Sequence, residues 1–393
     1  MTGENRFYLP NVFLSVLNRF FFKKPPLSQF HGNKKLKILV YQVGNIGDLI
    51  VSTPVYMELR KKYHDAEITL LSSSGSRKYA GAEEIIKPLN LIDNFHAFFP
   101  DDFVSFKHYY TFYRTIRNTK YDLVVYLPSN LWKTFTICRD MIFFFLAGIK
   151  HGVGFRVYED YHFYLKHEIL PKNEIDRLFD LLKPLEIKNG NKLPQFAISN
   201  ESTKTVQSLF SEYEITGDQV KIGILPGGKY PARLWPGHYF SELINKINKN
   251  FSLKIILLGS EHEKKLVEEI KNQIKKKPLD TCGCLTIHQT GALIKQCHLL
   301  ITNDSGPMHI AAAVKTPTVS IFSAVDIPFL WYPAGNNHKI FYNKVECSPC
   351  FQKECENHIC MEGIPVERVY NAVKEQLYKM GIKKRGDLNY SGQ

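Results

Sequence analysis

Apolar runs that pass straight into helix-starting turns constrain this chain more than any other feature. The clearest is Leu299-Leu300-Ile301-Thr302-Asn303-Asp304-Ser305-Gly306-Pro307-Met308-His309, which continues into the small-residue run Ala311 to Ala313. Leu299 to Thr302 reads as a buried strand, Asp304 to Gly306 carries helix-capping chemistry, and Pro307 suits a first helical position. Unpaired N–H groups and the dipole at such a helix start favour a phosphate or diphosphate, although an ordinary capped helix has the same signature. A second junction runs from Lys37 to Pro54. There Gly44 and Gly47 permit unusual backbone and a close ligand approach, and Asp48 is either a helix cap or a working carboxylate. Its spacing matches neither the dinucleotide-binding nor the P-loop pattern. A third junction, Ile222 to Pro236, places Gly227 and Gly228 directly after a strand, with Lys229 and Arg233 bringing positive charge to the same loop.

Strands alternate with helices along the chain, which predicts α/β architecture with parallel sheets covered on both faces. Strands are expected at Lys37–Gln42, Glu67–Ser72 and Leu123–Leu127, with helices near Asp48–Tyr63 and Lys133–Ala147. A second set of strands is expected at Lys221–Leu225, Lys254–Leu258, Leu299–Thr302 and Thr318–Phe322. The 393 residues suffice for two cores. The expected organisation is an N-terminal segment at 1–35, a first domain at 36–187, a linker at 188–218, a second domain at 219–375 and a basic tail at 376–393. The linker is least periodic over 188–202.

Gly44-Asn45-Ile46-Gly47-Asp48 with Thr53-Pro54, then Pro226-Gly227-Gly228 with Arg233-Leu234-Trp235-Pro236, then Asp304 to His309, occur in this order. Together they resemble family 9 glycosyltransferases, the heptosyltransferases of the lipopolysaccharide inner core, over roughly residues 36 to 375. The resemblance implies a GT-B fold, two Rossmann-like domains facing a cleft, with acceptor on the first and nucleotide-sugar donor on the second.

It further implies an inverting transfer of heptose from ADP-heptose to a lipid-linked core oligosaccharide. Asp48 is then the base, on an acceptor-side loop with Gly44, Asn45 and Gly47. Gly228, Lys229, Arg233, Thr286, Ser305, Gly306 and His309 are diphosphate candidates. His309 is alternatively a packing residue. Arg233 stands where many relatives carry lysine, and its guanidinium suits bidentate phosphate binding. Asp304 would repel phosphate and is assigned to donor-sugar hydroxyls, while Gly259 and Glu261 are nucleoside candidates. Glu261 is alternatively a helix-opening acid. Two rival readings are a transferase using a UDP-hexose or UDP-N-acetylhexosamine, and a non-catalytic nucleotide-binding protein of envelope assembly. Retention of Asp48, Arg233 and Asp304 argues against the second.

No cofactor is expected for catalysis. There is no Asp-x-Asp triplet, and a cationic loop with a helix terminus can replace a metal ion. Cys347, Cys350, Cys355 and Cys360 have spacing for a structural zinc, with free or redox-active thiols and an iron-sulfur cluster as alternatives. The formal charge of +13 calls for an acidic partner. Nucleic acid ranks last for want of any binding motif, leaving phosphorylated substrates and an anionic membrane surface. Without a spanning run or secretory signal, the expected location is cytoplasmic, peripheral on the inner face of the inner membrane. Phe13 to Lys24, aromatic, basic and closed by Pro25-Pro26, reads as either an interfacial helix or one packed on the protein. Met141 to Ile149 reads as a buried helix end.

Overall fold

The computed structural model describes residues 5–25, 35–73, 81–103, 105–128, 134–156, 171–187 and 190–385. The expected tail beyond 385, Pro26 and part of the N-terminal segment, and linker residues 188–189 lie outside the described residues. The chain divides into two compact units, 1–195 and 196–393.

The first unit holds β1 (Lys37–Val43), β2 (Glu67–Ser73), β3 (Asn94–Ala97), β4 (Leu123–Leu127) and β5 (His151–Val153), in the order β3-β2-β1-β4-β5. The second holds β6 (Lys221–Leu225), β7 (Lys254–Leu257), β8 (Leu279–Asp280), β9 (Leu299–Asn303), β10 (Thr318–Phe322) and β11 (His338–Tyr342), in the order β11-β10-β9-β6-β7-β8. Every strand pair is parallel. Parallel neighbours need crossover connections, and these cover both faces of each sheet with helices. Every residue of β4, β6, β9 and β10 is accordingly buried, which is why those strands read as apolar runs. The edge strands β3 and β11 are largely half-exposed and lack that signature.

The helix expected from Asp48 to Tyr63 is two helices, Ile46–Val51 and Thr53–Lys62, joined at Ser52. Pro54 has no N–H to give Ile50 four residues back, so a continuous helix would orphan that carbonyl. The Thr53 hydroxyl donates to Ile50 O instead, at 2.7 Å. In the stretch expected as linker, Ser199 caps a helix, Asn200–Glu212.

The N-terminal helix, Asn5–Phe21, is built into the first unit: Leu14 has no exposed surface, and Phe22 just after the helix stacks on Phe155 at 5.3 Å. Phe144, on the helix Thr134–Leu146, meets Tyr41, Tyr126 and Phe155 in the same aromatic core. The stretch Met141 to Ile149 is only half buried, because Ile142, Phe145 and Leu146 are exposed while Met141 and Phe144 point inward. The second unit has its own core, in which helix Gly237–Asn250 contributes Phe240, Leu243, Ile244 and Ile247.

Phe144→Ala is expected to cost about 3–5 kcal/mol, the range for emptying an aromatic core position. Denaturant unfolding of the full chain measures it, and a cost under about 1 kcal/mol would contradict the packing described.

Candidate active site

In open α/β sheets, ligands gather beyond the carboxyl ends of strands where the strand order reverses. In the first unit that reversal lies between β1 and β4, and the Gly44–Asp48 loop leaves β1 at this point. Asn45 caps the helix that follows, in a reciprocal capping box, and Asp48 Oδ2 accepts the Asn45 N–H at 2.7 Å. Asp48 is therefore a capping residue whose carboxylate is held in a fixed, half-buried position. Gly44 does not have a positive φ, contrary to the expectation of unusual backbone there, and neither does Gly47, in the first turn of the helix. Close approach is what Gly44 supplies: a Cβ at this residue would lie 2.4 Å from Asp48 Cβ and 2.6 Å from its Cγ.

Beneath this loop lies a buried polar network that the sequence reading missed. Gln42 Nε2 donates to Asp48 O at 3.2 Å and to Ser52 Oγ at 2.6 Å; Ser52 Oγ donates to Asp48 O at 2.8 Å; and Tyr56 OH donates to Gln42 Oε1. Burial pushes the Tyr56 phenol far above its ordinary range, which keeps it a donor. The backbone of Asp48 is thus fixed from below as firmly as its carboxylate is from the side. The available signal was Gln42 itself, a polar residue inside an apolar strand.

In the second unit the order reverses between β6 and β9, which pair with Leu225 opposite Thr302. The loops that follow them therefore leave side by side. Asn303, fully buried, ties them together: its Nδ2 donates to Pro226 O at 2.6 Å and its Oδ1 accepts from Trp235 N at 3.1 Å. Trp235, also buried, donates through Nε1 to Ile364 O at 2.9 Å.

Arg233 ends the short 3-10 turn Pro231–Arg233 and reaches two carboxylates. Its Nη1 lies 3.3 Å from Asp304 Oδ2, and its Nη2 pairs with Asp326. Asp326 was not foreseen, because it lies in a segment with no motif. Burial pushes its carboxyl above the usual range, while Arg233 opposes that shift. Around the ring of Tyr230 gather Lys229 at 5.4 Å, Arg233 at 5.5 Å and Lys353 at 5.7 Å. Glu263 is another unforeseen residue. A Cβ on Gly227 would lie 1.7 Å from its Oε1 and one on Gly259 would lie 3.2 Å from its Oε2, while Oε2 accepts from Ser260 N and Oγ. The glycine turns after β6 and β7 thus close on one carboxylate.

The helix Gly306–Ala313 begins after Ser305, whose hydroxyl does not cap it but lies 3.1 Å from Thr302 Oγ1. That helix start therefore keeps the anion-favouring character expected at Ser305 and Gly306. His309 is buried, with its pKa pushed down to about 4 by burial and by nearby His338. It is neutral at pH 7 and has nothing but a hydrogen bond to offer a phosphate; its ring meets Trp331 at 6.3 Å. Thr286 caps the helix Ile287–Gln296 in a capping box with Gln289. Glu261 is exposed and paired with Lys264 at 2.8 Å, the helix-opening alternative. Gly228 lies against Leu234, which a Cβ would approach to 3.0 Å.

The cysteine-rich tail packs against this site through two backbone hydrogen bonds and one histidine ring. Lys353 O accepts from Ala232 N at 3.1 Å, His358 Nε2 meets Ala232 O at 3.3 Å, and Phe351 N donates to Val325 O at 3.0 Å. Cys347 and Cys355 are exposed, Cys350 is half-buried and Cys360 is packed in the core. Burial and the three other thiols push the Cys360 thiol upward. Among the described residues, however, no three His, Cys, Asp or Glu side chains come together as metal ligands. The four cysteines as arranged do not fit the expected tetrahedral zinc site.

His309 generates a pH prediction. Its folded pKa, about 4, lies below the unfolded 6.5, so between those values the unfolded chain binds the extra proton. The stabilisation is complete above about pH 6.5 and is lost on acidification towards pH 4, amounting to about 3 kcal/mol. His309→Gln is expected to flatten this part of the stability profile, measured by denaturant unfolding; an unchanged slope would show that His309 is not buried as a neutral group.

Residues 109–360 match the family model described as glycosyltransferase family 9 (heptosyltransferase). Over 345 residues the chain is 26% identical to lipopolysaccharide heptosyltransferase 3 of Escherichia coli, an alignment covering 84% of this chain and 96% of that protein. Among solved structures, a family 9 glycosyl transferase from Veillonella parvula gives a TM-score of 0.69 at 20% identity, covering 90% of this chain and 100% of that one. The ADP-heptose lipopolysaccharide heptosyltransferase II of Escherichia coli gives 0.63 at 20% identity, covering 88% and 100%. An Escherichia coli heptosyltransferase solved with ADP-2-deoxy-2-fluoro heptose gives 0.57 at 13% identity, covering 86% and 99%. The structural likenesses establish the GT-B fold, two parallel-sheet α/β domains. Since the family model spans well over half of the sequence, this chain belongs to glycosyltransferase family 9, the heptosyltransferases, and is a glycosyltransferase.

Proposed function

We propose that the protein transfers a heptose from ADP-heptose to a lipid-linked lipopolysaccharide-core acceptor, with inversion at the anomeric carbon. The observation that carries this reading is the alignment along 84% of the chain with a protein named for lipopolysaccharide heptose transfer. The reaction needs a proton acceptor for the incoming hydroxyl and a place for the charge on the departing diphosphate. Asp48 takes the hydroxyl proton as that oxygen bonds to the anomeric carbon and the bond from that carbon to the diphosphate oxygen breaks. Gly44 and Asn45 hold the carboxylate in position for this.

Lys229, Arg233 and the start of the Gly306–Ala313 helix receive the diphosphate. Arg233 enters the reaction already paired with two carboxylates, and its contact to Asp304 is an ion pair at 3.3 Å. An arriving diphosphate competes with Asp304 for the guanidinium, which releases Asp304 for hydroxyls of the donor sugar. Asp326 keeps the fork oriented during this exchange. Thr286, Gly259 and Glu261 remain candidates for the donor's outer contacts. No described helix is long and apolar enough to cross a membrane. A lipid-linked acceptor calls for work at a membrane surface, the cytoplasmic face of the inner membrane.

Incubating the enzyme with core acceptor and a panel of nucleotide sugars, followed by mass spectrometry, tests the reading. A heptose-sized mass gain with ADP-heptose is expected, and transfer only from a UDP-hexose or UDP-N-acetylhexosamine would overturn it. Asp48→Asn, which keeps an acceptor for the Asn45 N–H, is expected to lower kcat by at least about 10²-fold with donor affinity within a few fold. Gly44→Ala is expected to lower kcat by about 10²-fold through misplacement of the same carboxylate. Wild-type turnover in either variant would remove Asp48 from the chemistry. Arg233→Gln is expected to weaken ADP binding about tenfold or more in calorimetry, and an unchanged affinity would place the diphosphate elsewhere.

A further inference from the structure

Three helices of the first unit carry large apolar side chains outward rather than inward. On Asn5–Phe21, Val12, Phe13, Val16 and Phe20 form one stripe at helical spacing, and Phe20 is 78% exposed. Thr134–Leu146 presents Phe135, Ile142, Phe145 and Leu146 in the same way, with Phe135 81% exposed. Phe106–Thr119 adds Phe106, Tyr109 and Tyr110, with Phe106 83% exposed. Such spacing is an amphipathic pattern turned towards the outside.

The stripes converge. Phe21 meets Phe145 at 4.9 Å, while Tyr113 OH and Arg117 Nη1 both donate to Leu146 O, at 2.9 Å and 2.6 Å. Thr134–Leu146 thus lies between the other two helices, and its exposed end adjoins both. Exposed apolar side chains gathered on adjoining helices mark an interaction site.

Charge identifies the partner. Residues 10–25, 105–120 and 134–150 contain nine Lys or Arg and one acid, Asp140. All nine cations are exposed, whereas Asp140 is buried against Arg139 and Tyr126 OH. Arg114 lies over Tyr110 at 5.9 Å and Arg117 over Tyr113 at 6.0 Å, pairing amphipathic rings with cations. Apolar stripes flanked by long basic side chains, with no exposed acid in these three segments, match a bilayer whose headgroups are negative. A protein interface core is depleted of charge, so a face this rich in cations suits it poorly.

We propose that this three-helix face docks the enzyme on an anionic lipid bilayer, the apolar side chains entering the headgroup boundary and the cations meeting acidic headgroups. It deepens the membrane-surface reading given above and rests on it. The N-terminal helix is one third of the device; the helices at 106–119 and 134–146 supply the rest.

Flotation of the full chain with vesicles of phosphatidylcholine, alone or mixed with phosphatidylglycerol, tests it. Binding is expected only to the mixed vesicles and is expected to weaken with added salt. The double variant Phe20→Glu with Leu146→Glu, both at exposed positions, is expected to lose at least about tenfold in vesicle affinity. Its thermal unfolding and its transfer to a water-soluble acceptor should match wild type. Tyr213→Glu, an exposed aromatic of the second unit, is expected to bind vesicles as wild type does. Equal binding to neutral vesicles, or an unaffected double variant, overturns the proposal. So does a concentration-dependent dimer that the double variant abolishes while vesicles stay unbound, since the face is then a self-interface. Vesicle binding as expected without heptose transfer leaves the docking face standing and refutes the donor and acceptor reading instead.

Discussion

Reversal of strand order in an all-parallel sheet is the constraint from which this architecture follows. A parallel strand can be rejoined only by a crossover, and where successive crossovers go to opposite sides of the starting strand, the two central strands send neighbouring loops out at their carboxyl ends. The chain does this twice, at β1/β4 and at β6/β9. Glycine-bearing loops leave β1 and β6 at those two places, and the capless helix start leaves β9.

Each loop is held by a buried side-chain amide from a central strand. Gln42, next to last in β1, grips the backbone of Asp48 and the hydroxyl of Ser52. Asn303, last in β9, grips Pro226 and Trp235. A buried amide without partners costs about 1–3 kcal/mol, so an amide here is tolerable only because its bonds are made, and making them fixes the loop. The same atoms therefore serve core and site: the strand ends cannot shift without orphaning a polar group.

Much of this was legible. Central strands buried on both faces are mostly apolar, so Leu123–Leu127, Lys221–Leu225 and Thr318–Phe322 declared themselves to the residue. The motif loops stood out because Gly, Asp and Pro directly follow those runs. What stayed hidden depends on partners remote in sequence. Asp326 matters through Arg233, 93 residues away, and Glu263 through the absent Cβ atoms of Gly227 and Gly259. The break at Ser52 follows from one carbonyl, Ile50 O, that Pro54 cannot serve. The edge strands β3 and β11 escaped because half-exposed residues carry no apolar run, and β5 and β8 because they are only three and two residues long. Met141–Ile149 misled for the opposite reason: composition reports apolar character but not the direction in which a helix turns it.

The cysteine tail shows how far a motif can be from its use. Its spacing drew attention to four thiols, yet what it contributes to the site is two main-chain hydrogen bonds, the His358 ring and the Lys353 ammonium. Lys353 O and His358 clasp Ala232 from both sides of its peptide, and Ala232 is the residue before Arg233. Phe351 N holds Val325 O, and Val325 is the residue before Asp326. One short segment therefore braces the two loops whose ends form the Arg233–Asp326 ion pair. A partly buried pair of this kind keeps its alignment only if both backbones are fixed, and its desolvation is offset only while that alignment holds. The tail supplies that fixing whatever the state of its thiols. The mostly exposed run from Cys347 to Glu356 thus belongs, in physical terms, to the frame that holds Arg233 against Asp326.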